Sequence, residues 1–280
     1  MPRRRNKIVP MKYPVGQEYA YRRVLLKLTG QYKTILKRNM SPVLVEMVTE
    51  ATVVHLPTGE IRQDAGWRDS LTRAMQKIAD DMTKPTNNAI RDMTRIGPQI
   101  NQYNKAEWQR LVRSQYGVDP TRENPEKWNE ILKNWAHSNS LLIKDIPHKT
   151  SLQIVEQATQ ALIDGQNPRD TYNAILDIMK DRTDVSDSRA KLIARDQVSK
   201  LNGQLTMERQ VDIGVDSYIW RTVGDERVRD THADNEDQTF TWDNPPAETG
   251  HPGEDYQCRC WAEPILPEEV AMNASLLEEA

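Results

Sequence analysis

A mainly α fold is what this sequence predicts: an extended N-terminal helical region, then a helical unit and a small, turn-rich α+β module. Three observations predict it. Apolar residues recur at three- and four-residue spacing from Gln17 to about Val211, and from Val215 that period gives way to short strand-like runs. The 280-residue chain is only 37% hydrophobic and 28% charged, with one Phe (Phe240) against seven Trp, which suits a helical protein with much exposed surface.

Residues 1–16 carry three prolines and a glycine and show no period; they read as a basic, flexible arm. Tyr21, Val24, Leu25, Leu28, Tyr32, Ile35 and Leu36 then mark a helix, and Ser41-Pro42 reads as a restart with proline in the first turn. His55–Gly59 is a loop. Trp67, Leu71, Met75, Ile78 and Met82 mark a helix expected to end before Pro85. Ala89, Met93 and Ile96 mark another, expected to stop at Gly97-Pro98. Trp108, Leu111 and Val112 form a short helix closed by Gly117, and Trp128, Ile131, Leu132 and Trp135 begin one toward Ile143.

After Pro147, Leu152, Val155, Ala158 and Leu162 form a helix ended by Gly165, and Asp170–Met179 forms a second. Ser186 or Asp187 caps the longest, which runs to about Val211 with Gly214 as a left-handed stop. Val215, Tyr218–Thr222 and Thr239–Trp242 read as strands, and Glu268–Glu279 as an acidic amphipathic helix. The organisation is therefore 1–16 arm, 17–139 helical region, 140–266 C-terminal domain and 267–280 acidic tail.

Composition narrows the function classes. No apolar run approaches the roughly 20 residues of a membrane span, and no secretory segment follows Met1, so the expected compartment is the cytoplasm. The net charge of −3 hides an asymmetry. Arg3, Arg4, Arg5, Lys7, Arg22 and Arg23 belong to a start with Glu18 as its one acid, and acids dominate from Asp225. Such an arm is a handle for nucleic acid or an acidic surface.

Both cysteines sit in HPGEDYQCRCWAEP, His251–Pro264. Residues i and i+2 of an extended segment share a face, so Cys258 and Cys260 present two sulfurs to one point. A disulfide between them would close a strained ring, whereas a shared metal uses both thiolates. His251 lies seven residues before Cys258 and His232 nineteen before that, giving a candidate Cys2His2 zinc set of His232, His251, Cys258 and Cys260. Asp225, Asp230 and Asp255 are possible oxygen donors. The alternatives are two packed, reduced cysteines with a surface histidine, or a catalytic metal site using His232 and the acids Asp225, Asp230, Asp234, Glu236 and Asp237. No Gly-rich phosphate loop, GxSxG or HExxH motif is present.

WRTVGDERVRDTH (Trp220–His232), Phe240 eight residues on, and HPGEDYQCRCWAEP resemble the phage head morphogenesis family, the Mu F-like minor head proteins. The matching positions are Asp225, Arg227, Val228, His232, Phe240, His251, Pro252, Cys258, Arg259, Cys260 and Pro264. SRAKLIARDQVSKLNGQ (Ser188–Gln204) is similar to the family's helix before this module, and the resemblance covers about residues 140–266. Asn235-Glu236-Asp237 departs from the family's Leu-Asp-Gly turn. Some members carry a cysteine near the His232 position, a swap that zinc ligation tolerates.

The resemblance implies a non-enzymatic virion role: a minor capsid component inside the head near the portal, made in the host cytoplasm. Its implied partners are the portal protein, capsid or scaffold proteins and packaged double-stranded DNA. It also implies a part in head assembly and DNA packaging or delivery. A metal-dependent nuclease or nucleotidyl hydrolase is the alternative; an ADP-ribosyltransferase-like effector would need an Arg…Ser…Glu set that the chain lacks.

Overall fold

The structure is a computed structural model that describes residues 10–53, 66–117, 120, 124–163, 168–183 and 187–267. The fold is mainly α, with a small antiparallel sheet near the C-terminal end. Helices α1 (Val15–Val53), α2 (Gly66–Thr94), α3 (Ile96–Tyr116), α4 (Pro125–Ile163), α5 (Pro168–Thr183) and α6 (Asp187–Asp212) precede strand β1 (Ser217–Arg221). A short α7 (Asp230–Ala233) and strands β2 (Thr239–Thr241) and β3 (Trp261–Pro264) follow. The chain divides into two compact units: Met1–Tyr21 with Thr94–His137 and Lys191–Ala280, and Arg22–Met93 with Ser138–Ala190. No helix among the described residues is long and apolar enough to cross a membrane.

The helical unit, Arg22–Met93 with Ser138–Ala190, is built on stripes of buried side chains. Leu25, Leu28, Tyr32, Leu36, Met40, Val43 and Met47 of α1 are all buried, at steps of three and four. This stripe runs past Pro42, so α1 does not restart there as the sequence suggested. Likewise Ile78, Met82, Ala89 and Met93 are buried on both sides of Pro85, and α2 continues to Thr94 instead of ending before Pro85. In both helices a face buried on either side of the proline outweighs the one backbone hydrogen bond that proline removes. Polar ties join the helices: Asp81 of α2 accepts from Arg38 at 2.6 Å and Asn39 at 3.1 Å, and Tyr32 and Ser151 share a hydrogen bond of 3.1 Å.

In the other unit, Gly97-Pro98 begins a helix rather than stopping one. Pro98 stands in the first turn of α3, where its missing N–H costs nothing. Gly97 packs beneath Trp135 of α4, and an added Cβ would lie 3.3 Å from Leu132 and from the Trp135 ring. Gly117 closes α3 with φ 74°, as its position predicts. The segment before α1 is anchored here: Met11 is buried with Trp108, Leu111 and Val112, and Arg110 donates to the Pro10 carbonyl at 2.7 Å. The Lys12 N–H donates to Glu107 at 3.0 Å.

The sheet has the order β2-β1-β3, both pairs antiparallel. Tyr218 faces Phe240 on one side and Pro264 on the other; Trp220 faces Ala262. Proline 264 is tolerated because β3 is an edge strand. Tyr218, Trp220 and Ala262 form a small buried core, with Phe240, Trp242 and Cys260 packed on it. On β1, the buried Arg221 donates to Glu263 and to Asp237, closing the far end of the sheet with charge. The basic residues Arg3, Arg4, Arg5 and Lys7 and the acidic segment Glu268–Glu279 lie outside the described residues.

Candidate metal centre

The Cys258 loop is held by helix α6. Ser199 donates its hydroxyl to the Cys258 carbonyl, and Asp196 accepts from the Gln257 N–H at 3.2 Å. Gly203 lets the His251–Gly253 turn press against the helix, since an added Cβ would sit 2.6 Å from the Pro252 carbonyl oxygen. Gly253 completes the fit with φ 98° and its own approach to the Gly203 Cα. The small residues of SKLNG in α6 thus serve the loop that carries the cysteines.

Three of the four sequence-predicted ligands come together. One donor atom each from His232, Cys258 and Cys260 lie within 4.8 Å of one another, with His232 and Cys258 buried. His232 Nδ1 is 3.3 Å from Cys260 Sγ and 3.6 Å from Cys258 Sγ. Short helix α7 delivers the histidine, and Trp220 of β1 meets its ring edge-on with centroids 5.5 Å apart. The fourth residue, His251, stands outside this group. Its Nδ1 shares a 2.9 Å hydrogen bond with the Tyr218 hydroxyl, and its ring lies 4.9 Å from Trp242.

Asp255 was legible as a possible oxygen donor, but its position gives it another use. Its Oδ2 is 2.9 Å from His232 Nε2, the ring nitrogen opposite the one facing the sulfurs. The tautomer that frees Nδ1 for a metal puts the proton on Nε2, where Asp255 accepts it. Arg229 donates to the same carboxylate oxygen at 2.6 Å. A carboxylate that orients the far nitrogen of a ligating histidine is a recurring support in metal sites.

The electrostatics favour a bound cation. Hydrogen bonding from Cys260, and then from His232 and the N–H groups of Gly253 and Cys260, outweighs burial and draws the Cys258 thiol down to about 5. Those two N–H groups lie 3.3 and 3.4 Å from the sulfur. Cys260, as the donor beside a thiolate, is pushed up. His232 is raised, chiefly by its hydrogen bond with Cys258. Burial pushes Asp255 up, but the His232 hydrogen bond and the Arg229 charge hold it below the usual carboxylate range. Two thiolates and a neutral imidazole there would suit a divalent ion with soft-ligand preference, zinc foremost.

The acids proposed for catalysis do not gather. Asp225 takes both Arg259 nitrogens at 2.6 Å, Glu236 accepts from the Thr222 N–H at 2.6 Å, and Asp237 pairs with Arg221. Of the two α1 residues expected to contact nucleic acid, Arg23 is exposed and Arg22 is half-buried.

Comparison with known proteins agrees with the motif. Residues 152–263 match the family model described as Phage Mu protein F like protein. Over 234 residues the chain is 31% identical to an uncharacterized protein of Haemophilus influenzae, covering 80% of this chain and 51% of that one. The chain therefore spans about half the length of the curated relative it matches. No solved structure matches it. The matched region holds α5, α6, the sheet and the His232–Cys258–Cys260 cluster, and it is a Mu F-like region, as the sequence resemblance implies.

Proposed function

We propose that this chain is a minor head protein of a phage, acting at or near the portal in head assembly and in DNA packaging or delivery. The observation that carries the reading is the Mu F-like match over residues 152–263, which contains the His232, Cys258 and Cys260 cluster. Zinc held by His232, Cys258 and Cys260 would staple a module whose own apolar core is small. The stapled module would present a fixed surface to portal, capsid or scaffold proteins inside the head. The basic arm, Arg3–Lys7 with Arg22 and Arg23, would contact packaged DNA by neutralising phosphates. Purified virions analysed by mass spectrometry test this. The expected result is a few copies of the chain per particle, lost from particles assembled without portal. Absence from heads that retain their portal would contradict it.

A second reading, a metal-dependent nuclease, is favoured by one observation: three metal donors line an open cleft with arginines. Against it, three of the five acids around His232 are taken up: Asp225 and Asp237 by arginines and Glu236 by a backbone N–H. Plasmid cleavage by the wild type with Mg2+ or Mn2+, absent from His232→Ala, would establish this reading. Equal behaviour of the two proteins removes it.

A further inference from the structure

A zinc ion wants four ligands, and this site supplies three. Among the described residues no further His, Cys, Asp or Glu joins the group. Two donors that the sequence offered are engaged elsewhere: Asp255 on the far nitrogen of His232, and His251 with Tyr218 and Trp242. All three donors line one open cleft of about 230 Å³, whose walls include Arg195, Arg227, Arg229 and Arg259.

The charges of those walls can be paired off. Arg195 meets Glu18, Arg229 meets Asp255, and Arg259 meets Asp225. Arg227 has no close ion pair of its own among the described residues: it is exposed, and its charge acts on the Asp225 carboxylate that Arg259 already holds with two hydrogen bonds. Two thiolates neutralise a divalent ion, so the loaded cleft keeps one positive charge beside an incomplete coordination sphere. A guanidinium fork recognises carboxylate and phosphate oxygens alike.

We infer that the metal of this site keeps an exchangeable fourth position, and that the position takes an oxyanion from outside the chain, oriented by Arg227. The inference rests on the zinc reading above and deepens it: the site is then a docking point as well as a staple. The oxyanion is a phosphate or a carboxylate, and the arginine chemistry suits both. In neither case does a covalent bond form or break beyond exchange of a metal-bound water.

Cobalt(II) reports on this directly, because it occupies the same nitrogen and sulfur sites and its visible bands respond to coordination. The full-length chain is loaded with cobalt and titrated separately with inorganic phosphate and with acetate across the millimolar range. The expected result is a saturable change in the visible bands with one or both anions, and the anion that acts names the source. Arg227→Ala is expected to bind cobalt as the wild type does while weakening the anion response by about tenfold, the worth of one charge-assisted hydrogen bond. Cobalt bands that form normally and ignore both anions would overturn the inference and leave the staple intact. An equal anion response in Arg227→Ala would overturn the role of that residue. Failure to form any cobalt–thiolate band would overturn the metal reading together with this one.

Discussion

The helical unit and the sheet module hold themselves together by different means. In Arg22–Met93 and Ser138–Ala190, order comes from long apolar stripes: Leu25 to Met47 on α1, and Leu71 to Met93 on α2. Each buried side chain there adds its own increment, about 1.5–3 kcal/mol for a fully buried Leu, Ile or Met. The sheet module has three short strands and a core of Tyr218, Trp220 and Ala262. It relies on directional contacts instead: Arg221 between two carboxylates, Ser199 on the Cys258 carbonyl, and the sulfur and imidazole cluster. The comparison teaches how a chain of 37% hydrophobic residues can still fold, because where apolar surface is short, polar geometry substitutes. Polar geometry is brittle, since removal of one group strands its partners.

The largest way to test that contrast is to remove the metal. A strong chelator is expected to abolish the near-UV signal of Trp220 and Trp242 and the exchange protection of β1, while helices α1 and α2 keep theirs. Equal loss in both regions, or in neither, would break the comparison. Next in size is Trp220→Ala, which empties the module's largest buried site and is expected to cost about 3–5 kcal/mol by denaturant titration. A cost under 1 kcal/mol would mean the core is not centred on β1.

Asp255→Asn is expected to weaken metal affinity about 10–100-fold in a competition titration, with the fold retained, because it loosens the orientation of His232. Unchanged affinity would make Asp255 a surface acid. The smallest effect concerns the anchored start of the chain. Burial pushes Glu107 up, but hydrogen bonds from Arg110 and the Lys12 N–H bring it below the usual glutamate value. A depressed carboxylate contributes stability that is present above its unfolded value and lost as pH falls through the native one. Exchange protection of Lys12 should therefore fall on acidification below the usual carboxylate range. Glu107→Gln should remove that dependence, and an unaltered profile in the variant would assign it to another group.

Much of this was legible in the sequence. The apolar period gave the helices, Gly117 and Gly214 their ends, and the change of period strands β1 and β2. What misled was proline and glycine read as punctuation. Pro42, Pro85 and Gly97-Pro98 all lie inside helices, because buried faces continue across them and Trp135 needs a glycine beneath it. Strand β3 was invisible because its four residues, Trp261–Pro264, end in proline and gain meaning only beside β1. At the site, i and i+2 spacing placed the two sulfurs together, and His232 joined them across a separation of 26 positions that includes β2. Spacing alone could not tell that His251 would turn to Tyr218, or that Asp255 would back His232. Those outcomes depend on how α6 seats the loop, through Ser199 and Gly203.

The central claim is that His232, Cys258 and Cys260 form one metal clasp, and elemental analysis of the purified full chain tests it most directly. The account predicts about one zinc per chain, lost in Cys258→Ser and kept in His251→Gln. A metal-free wild type whose two thiols titrate freely in the native state would contradict it.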